Sequence, residues 1–290
     1  MKRGQSSITA LGIAVIRAME AKKSPHDRIC DDPYAREFVP TWLYYLVKFF
    51  IVTGIAEWRG RAGIGEFIVA RVRHIDDYLN EQIEEGIDQL VILGAGYDSR
   101  AYKFEQLRGK VKVFEVDHPT TQEVKKAKLE KIFGAVPDYV NYVPMDFEQE
   151  TLDERLPQSG YDEGLRTLFI WEGVTEYLDA GSVDATLSFV AKKSGPGSSI
   201  IFDYIHKSLL DGTEKHGEVS IMRRNRFISG EELTFGIEEG GIEEFLKARG
   251  FGPVKNVSRK ELEEAYFTGK NKERRVASGY SIATAYVKVG

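Results

Sequence analysis

Apolar positions along the chain recur first at helical spacing and then, from about residue 87, as short runs alternating with helical stretches. Over residues 8–22, Ile8, Leu11, Val15, Ala18 and Met19 share one face, predicting an amphipathic helix. Asp31-Asp32-Pro33-Tyr34 reads as a turn in which Asp32 accepts backbone N–H groups and Pro33 opens the next helix. A helix or helix pair is expected over 35–56, and Gly60, Gly63 and Gly65 interrupt the chain after it. Residues 66–85 are again helical in pattern. Phe67, Val69, Ala70, Val72, Ile75, Tyr78, Leu79 and Ile83 supply the stripe, while Arg71, Arg73, Asp76 and Asp77 have the pattern of a solvated face.

Beyond residue 87 the runs 89–93, 112–116, 140–143, 167–171 and 198–203 read as buried strands. Helical segments are expected at 99–107, 120–133 and 180–192. This order predicts an α/β fold, a mainly parallel sheet with helices on both faces. Residues 206–226 contain no clear strand and carry Lys215, Arg223, Arg224 and Arg226. A helix over 237–249 should end at Gly250, and 254–258 with 281–289 can form an antiparallel edge pair. Neither repeats nor low-complexity tracts are visible.

Composition narrows the functional classes. A net charge of −5 over 290 residues argues against a dedicated nucleic-acid binder. The single cysteine, Cys30, excludes an intrachain disulfide framework and a multi-cysteine metal site, which makes a reducing cytoplasm the simplest location. The apolar stretch 8–16 follows Lys2 and Arg3, but Arg17, Glu20, Lys22 and Lys23 come directly after it without a signal-peptide cleavage pattern. Residues 42–56 are apolar and aromatic yet are interrupted by Lys48 and too short for a bilayer span. No integral membrane association is expected; contact with a membrane surface stays open.

The candidate chemistry lies at the predicted strand ends. Gly94-Ala95-Gly96 follows the first strand, where a chain without Cβ atoms turns sharply and leaves bare peptide for a ligand. A tight turn without a ligand has the same pattern. Asp117 ends the second strand, well placed for the hydroxyls of a ribose; equally, it could cap the helix near Thr120. Asp146 and Phe147 follow the third, where a carboxylate can take an exocyclic amine and a ring can pack on a base, or where Asp146 can cap a turn. Glu172 ends the fourth. A dinucleotide motif needs a third glycine where Ser99 stands, and Asp98 adds a charge repulsive to pyrophosphate but acceptable to a sulfonium. S-adenosylmethionine therefore suits these residues better than NAD. An NAD-type oxidoreductase and a non-catalytic nucleoside-binding protein are the alternatives.

Three motifs together resemble the leucine carboxyl methyltransferase family: Gly94-Ala95-Gly96-Tyr97-Asp98-Ser99-Arg100, Phe114-Glu115-Val116-Asp117-His118-Pro119, and Trp171-Glu172-Gly173-Val174-Thr175-Glu176-Tyr177-Leu178. Arg17-Ala18, Asp32-Pro33-Tyr34-Ala35 and Ala70-Arg71-Val72-Arg73 extend the likeness over nearly the whole chain. The resemblance implies a Rossmann-like class I methyltransferase sheet of seven strands, the last antiparallel. It also implies a helical cap at 1–86 on a core at 87–290, with a substrate-side insertion at about 206–236. On this basis Arg71, and with it Arg17, would hold the carboxylate of the cofactor's methionine part. Gly94 would lie under the cofactor, Asp117 would bind ribose, Asp146 with Phe147 would bind adenine, and Glu172 would face the ammonium. Ala95, Gly96, Asp98 and His118 complete the expected cofactor set, with no metal.

The implied reaction is in-line attack of an acceptor oxygen on the activated methyl group, with S-adenosylhomocysteine leaving. A carboxylate acceptor needs no base but should be oriented by a cation, for which Arg223, Arg224 and Arg226 are candidates. A hydroxyl acceptor needs a base, for which His118, Tyr177 and His206 are candidates. The family's eukaryotic members methylate the C-terminal carboxylate of a protein phosphatase, and another branch acts in tRNA base modification. A small metabolite is the acceptor expected here, and a protein C-terminal carboxylate is the alternative.

Overall fold

The computed structural model describes residues 8–53, 63–147, 149–213 and 233–288. Gly60, Lys215, Arg223, Arg224 and Arg226, singled out in the sequence, lie outside the described residues.

Among the described residues, four helices precede the sheet: α1 (Ile8–Glu20), the short α2 (Ala35–Phe38), α3 (Thr41–Thr53) and α4 (Ile64–Glu84). Asp32 starts α2 as the turn pattern predicts, its carboxylate accepting the N–H groups of Tyr34 at 3.1 Å and Ala35 at 2.9 Å. The strands are β1 (Gln89–Leu93), β2 (Lys112–Asp117), β3 (Val140–Pro144), β4 (Thr167–Trp171), β5 (Ser199–Ile205), β6 (Phe251–Val257) and β7 (Tyr280–Val287). Between them run α5 (Arg100–Lys103), α6 (Pro119–Phe133), α7 (Leu152–Arg155), α8 (Ala180–Lys192), α9 (Lys207–Asp211), α10 (Ile242–Lys247) and α11 (Arg259–Tyr266).

The seven strands form one sheet in the order β3-β2-β1-β4-β5-β7-β6. β1 to β5 are parallel, and β7 runs antiparallel to both β5 and β6. Each strand divides its side chains between the two faces, because successive residues point in opposite directions. Leu90, Ile92, Leu168 and Ile170 join a cluster with Ala14, Val15, Phe67, Val72 and Ile75 of the N-terminal helices. Val91, Leu93, Phe169 and Trp171 join a second cluster with Leu152, Val183, Leu187, Ile242 and Leu246. Both faces are covered, so these strands are apolar throughout rather than alternating.

The sequence pattern fails in places where local chemistry overrides periodicity. The helix expected over 237–249 is confined to α10, because Gly240 takes φ +79° and Ile237 instead bridges to His206 beside the sheet. The stretch between the last two strands contains α11, opened by a capping box in which Ser258 and Glu261 exchange hydrogen bonds. The helix expected over 99–107 is only α5 followed by a single 3-10 turn, Glu105–Leu107. The solvated face expected on α4 is half wrong. Arg73 and Asp77 are exposed as an i,i+4 pair, whereas Arg71 and Asp76 are 3% and 8% exposed.

The register fixes what the strands present at their C-terminal ends. Leu93 is paired with Val116 and Trp171, and Trp171 with Phe202. One step further, Gly94, Asp117, Glu172 and Asp203 stand at a common level. The chain leaves β1 toward β2 on one side, and β4 continues on the other. Such a divergence, at the carboxyl ends of β1 and β4, is where open α/β sheets form the crevice that binds their ligands.

Beneath the crevice, Lys125 of α6 reaches Glu115 of β2 at 2.7 Å, both about 1% exposed, and Tyr102 donates to the same carboxylate at 2.8 Å. Burial pushes the Glu115 carboxyl up despite Lys125. Replacing one partner leaves the other charge buried alone. Lys125→Met should therefore lower the unfolding free energy by about 3–5 kcal/mol in urea denaturation. A loss below about 1 kcal/mol would show that Glu115 is already neutral in the folded protein.

Candidate cofactor site

The loop after β1 is shaped by its own protein contacts. Gly94 takes φ +65°, and a Cβ there would stand 2.3 Å from Cγ2 of Val174, in the loop after β4. The missing side chain is thus required by the turn and by Val174, a stricter reason than access for a ligand. Ala95 N–H donates to the Val116 carbonyl at 3.0 Å, tying the loop to β2. Gly96 N–H donates to one oxygen of Asp117, and His118 N–H donates to the other at 2.6 Å. Burial raises the Asp117 carboxyl, and these two N–H groups work against that rise. Each oxygen keeps accepting capacity for a further donor.

His118, not Asp117, caps α6: its Nδ1 accepts the Thr120 N–H at 3.3 Å. Its Nε2 lies 4.0 Å from Asp146 Oδ2. Gln149 donates to that same Asp146 oxygen at 3.0 Å, and Phe147 packs, partly buried, against the second apolar cluster. Asp117, His118, Asp146 and Phe147 therefore follow one another along the β2–β3 side of the crevice.

The β4–β5 side is built on arginines. Arg71 of α4 donates Nε to Glu172 at 3.0 Å and Nη1 to Asp203. Its Nη2 is buried, lies against Gly173, and finds no hydrogen-bond partner among the described residues. Arg100 donates to Asp76 at 2.8 Å, to Glu172 at 2.6 Å and to Asp98. Asp98 thus turns its carboxylate onto Arg100, also accepting the Arg100 N–H at 2.7 Å, so its charge is neutralised within the protein. Lys103 completes the chain of ions, 2.5 Å from Asp76. Burial opposes the charge of Glu172, but Arg100 and then Arg71 hold its carboxyl down at about 2. Arg17 of α1, 6% exposed, pairs with Asp32 at 3.0 Å and donates to the Tyr97 carbonyl at 2.6 Å, leaving its buried Nε without a partner among the described residues. It secures α1 to the glycine loop.

Two acids in this wall were not singled out in the sequence. Asp203, two residues before the end of β5, accepts the Gly173 N–H at 2.7 Å besides its bond from Arg71. Glu176, in the 3-10 turn Thr175–Tyr177, is 7% exposed. Burial first, and Asp203 next, push its carboxyl up to about 8. Asp203 carried the same signal as Asp117, an acid closing an apolar run. Glu176 had none, since its state depends on side chains remote in sequence. Of the proposed bases, His206 is 9% exposed with Nε2 on Ser281 Oγ at 3.0 Å, and Tyr177 is half-buried in the 3-10 turn.

The model for leucine carboxyl methyltransferases matches residues 10–191, spanning the carboxyl ends of β1, β2, β3 and β4. The chain belongs to the leucine carboxyl methyltransferase family. With it, the chain belongs to the S-adenosylmethionine-dependent methyltransferases. Among similar proteins are YktD of Bacillus subtilis, 26% identical over 93% of this chain and 94% of that one, and FRAAL3836 of Frankia alni, 33% identical over 68% of each. Rv3767c of Mycobacterium tuberculosis is 29% identical over 84% of this chain and 82% of its own. All three are named as S-adenosyl-L-methionine-dependent methyltransferases. A solved protein of Bordetella parapertussis, described as a possible exported protein, shares the fold over 99% of this chain and 81% of its own, with a TM-score of 0.51 at 11% identity. No helix among the described residues is long and apolar enough to cross a membrane.

A carboxyl held neutral by the fold has a definite effect on stability. Because Glu176 is raised from its ordinary 4.5 to about 8, the folded methyltransferase binds the extra proton between those values. Its contribution to stability is best below the ordinary value, declines as pH rises toward about 8, and is flat above. Glu176→Gln should consequently raise the melting temperature more at alkaline pH than at pH 5. An increment independent of pH would mean that Glu176 titrates normally.

Proposed function

We propose that this methyltransferase transfers the methyl group to an oxygen of a small acceptor, a carboxylate in preference to a hydroxyl, and that the crevice rim holds the cofactor. Arg71 receives the carboxylate of the methionine part, with Arg17 fixing the loop beside it. Glu172 faces the ammonium, Asp117 accepts from the ribose hydroxyls, and Asp146 with Phe147 receives the adenine. Gly94, Ala95 and Gly96 form the floor, held by Val174 and Asp117.

The observation that carries this reading is the buried Nη2 of Arg71 beside Gly173, which has no hydrogen-bond partner among the described residues. An unsatisfied buried guanidinium donor is costly, and a ligand carboxylate supplies what it lacks. On the opposite side, Asp117 is already oriented by two backbone N–H groups, which leaves it preset as an acceptor. When bound, S-adenosylmethionine supplies an activated methyl group on a sulfonium sulfur. The protein's residues then have to orient, desolvate and exclude water.

The histidines support the carboxylate choice. His118 spends Nδ1 on the Thr120 N–H, so its Nε2 carries the proton in that tautomer and cannot also accept one. His206 is engaged by Ser281 on β7. A carboxylate acceptor needs neither of them, since it arrives without a proton to lose. The family's own description, carboxyl methylation, agrees with it.

Two measurements test the reading. Asp117→Ala should weaken S-adenosylhomocysteine binding by about 1–3 kcal/mol in calorimetry, the worth of lost charged hydrogen bonds. Unchanged affinity would remove Asp117 from the ribose position. Separately, transfer of a radioactive methyl group to small carboxylic acids should give a product that releases volatile methanol in mild alkali, as an ester does. An alkali-stable product would exclude the carboxylate acceptor.

A further inference from the structure

Two carboxyl groups accept from the Arg71 guanidinium, and a third, Glu176, is buried near enough to feel its charge. Glu172 and Asp203 each accept from Arg71, through Nε and Nη1. The third, Glu176, is 7% exposed, and its Oε2 is sealed from solvent with no hydrogen-bond partner among the described residues. The backbone holds it there: its carbonyl accepts the Thr234 N–H at 2.8 Å, and neighbouring Thr175 donates its hydroxyl to the Asp203 carbonyl at 2.8 Å. The charges that act on it are Asp203 from β5 and Arg71 from α4, and the same guanidinium is bonded to Glu172 after β4.

Arg71 cannot neutralise three anions. Glu172 has a second partner in Arg100, whereas Asp203 has Arg71 and the Gly173 N–H. Among the described residues an additional buried charge at Glu176 would have no cation of its own and would compete for Arg71. We propose that Glu176 enters the working site as a neutral acid, and that its bound proton leaves Arg71 able to receive the cofactor's carboxylate. Glu176 is then a positioning residue, acting through Arg71 and Asp203 without touching the cofactor. This rests on the assignment of Arg71 to that carboxylate. Burial and Asp203 raise the Glu176 carboxyl to about 8, consistent with the proton being present at neutral pH.

The test is S-adenosylhomocysteine binding by calorimetry between about pH 6.5 and 9, with wild type, Glu176→Gln and Arg71→Ala. The ligand's own amino group titrates alike with every protein, so the ratio of wild-type to Glu176→Gln dissociation constants isolates Glu176. The ratio should be close to one at neutral pH and rise above pH 8, at most about tenfold per pH unit for one linked proton. A flat ratio, or a Glu176→Gln variant already weakened at neutral pH, overturns the inference. Arg71→Ala separates the two claims. If it abolishes binding while the ratio stays flat, the carboxylate assignment stands and only the role of Glu176 fails. If it binds like wild type, the assignment itself fails. Should Glu176→Gln not fold, carbon-13 spectra of wild type labelled at glutamate carboxyls give the same decision. One carboxyl should titrate near pH 8 in the free protein and at higher pH with S-adenosylhomocysteine bound, and no carboxyl titrating above about pH 6 overturns the proposal.

Discussion

The requirement that buried charge be compensated governs the crevice of this methyltransferase. Arg71 and Arg100 are 3% and 2% exposed, and an isolated guanidinium at such depth would be prohibitively expensive. Each therefore draws acids from elements far apart in sequence. Arg100 joins Asp76 on α4, Asp98 after β1 and Glu172 after β4; Arg71 joins α4 to the ends of β4 and β5. The same ion pairs that clamp the N-terminal helices onto the sheet also line the crevice. Helix placement and site geometry are consequently one constraint.

That coupling bears on how a cofactor is received. A donor left over after internal pairing, such as Nη2 of Arg71, is unfavourable in the empty protein and becomes favourable when an acceptor arrives. Because its other two donors are anchored, little side-chain entropy remains to be lost on binding. Asp117 is prepared the same way from the opposite side, by N–H groups of Gly96 and His118. A ligand spanning the crevice thus meets groups already oriented at both ends.

What the sequence revealed and what it concealed separate along physical lines. Gly94, Asp117, Asp146 and Glu172 were legible because apolar runs mark parallel strands and the fold presents whatever follows each run on one rim. Arg71 needed the family resemblance, since on periodicity alone it belongs to a helix face that reads as solvated. Asp76 on that helix was misread for the same reason: its burial comes from Arg100, 24 residues away. The role of Asp98 was read as a charge offered to the ligand, when Arg100, two residues on, takes it up. Local pattern reports which face a residue occupies; it does not report which charge will be found opposite.

Glu172 and Glu176 carry this furthest, because they are the same residue four positions apart on one loop. Both are buried, and for both desolvation is the largest influence on the carboxyl. Glu172 meets two guanidinium groups and stays ionised down to about 2; Glu176 meets another acid and keeps its proton to about 8. Neither burial nor sequence neighbourhood distinguishes them. The reach of Arg100 and the direction in which Arg71 aims its fork do. On the proposed assignment the site receives a zwitterionic amino-acid group and benefits from this division, since an ionised acid suits the ammonium and a neutral one does not repel the carboxylate. Two identical side chains acquire different protonation states from the placement of two guanidinium groups.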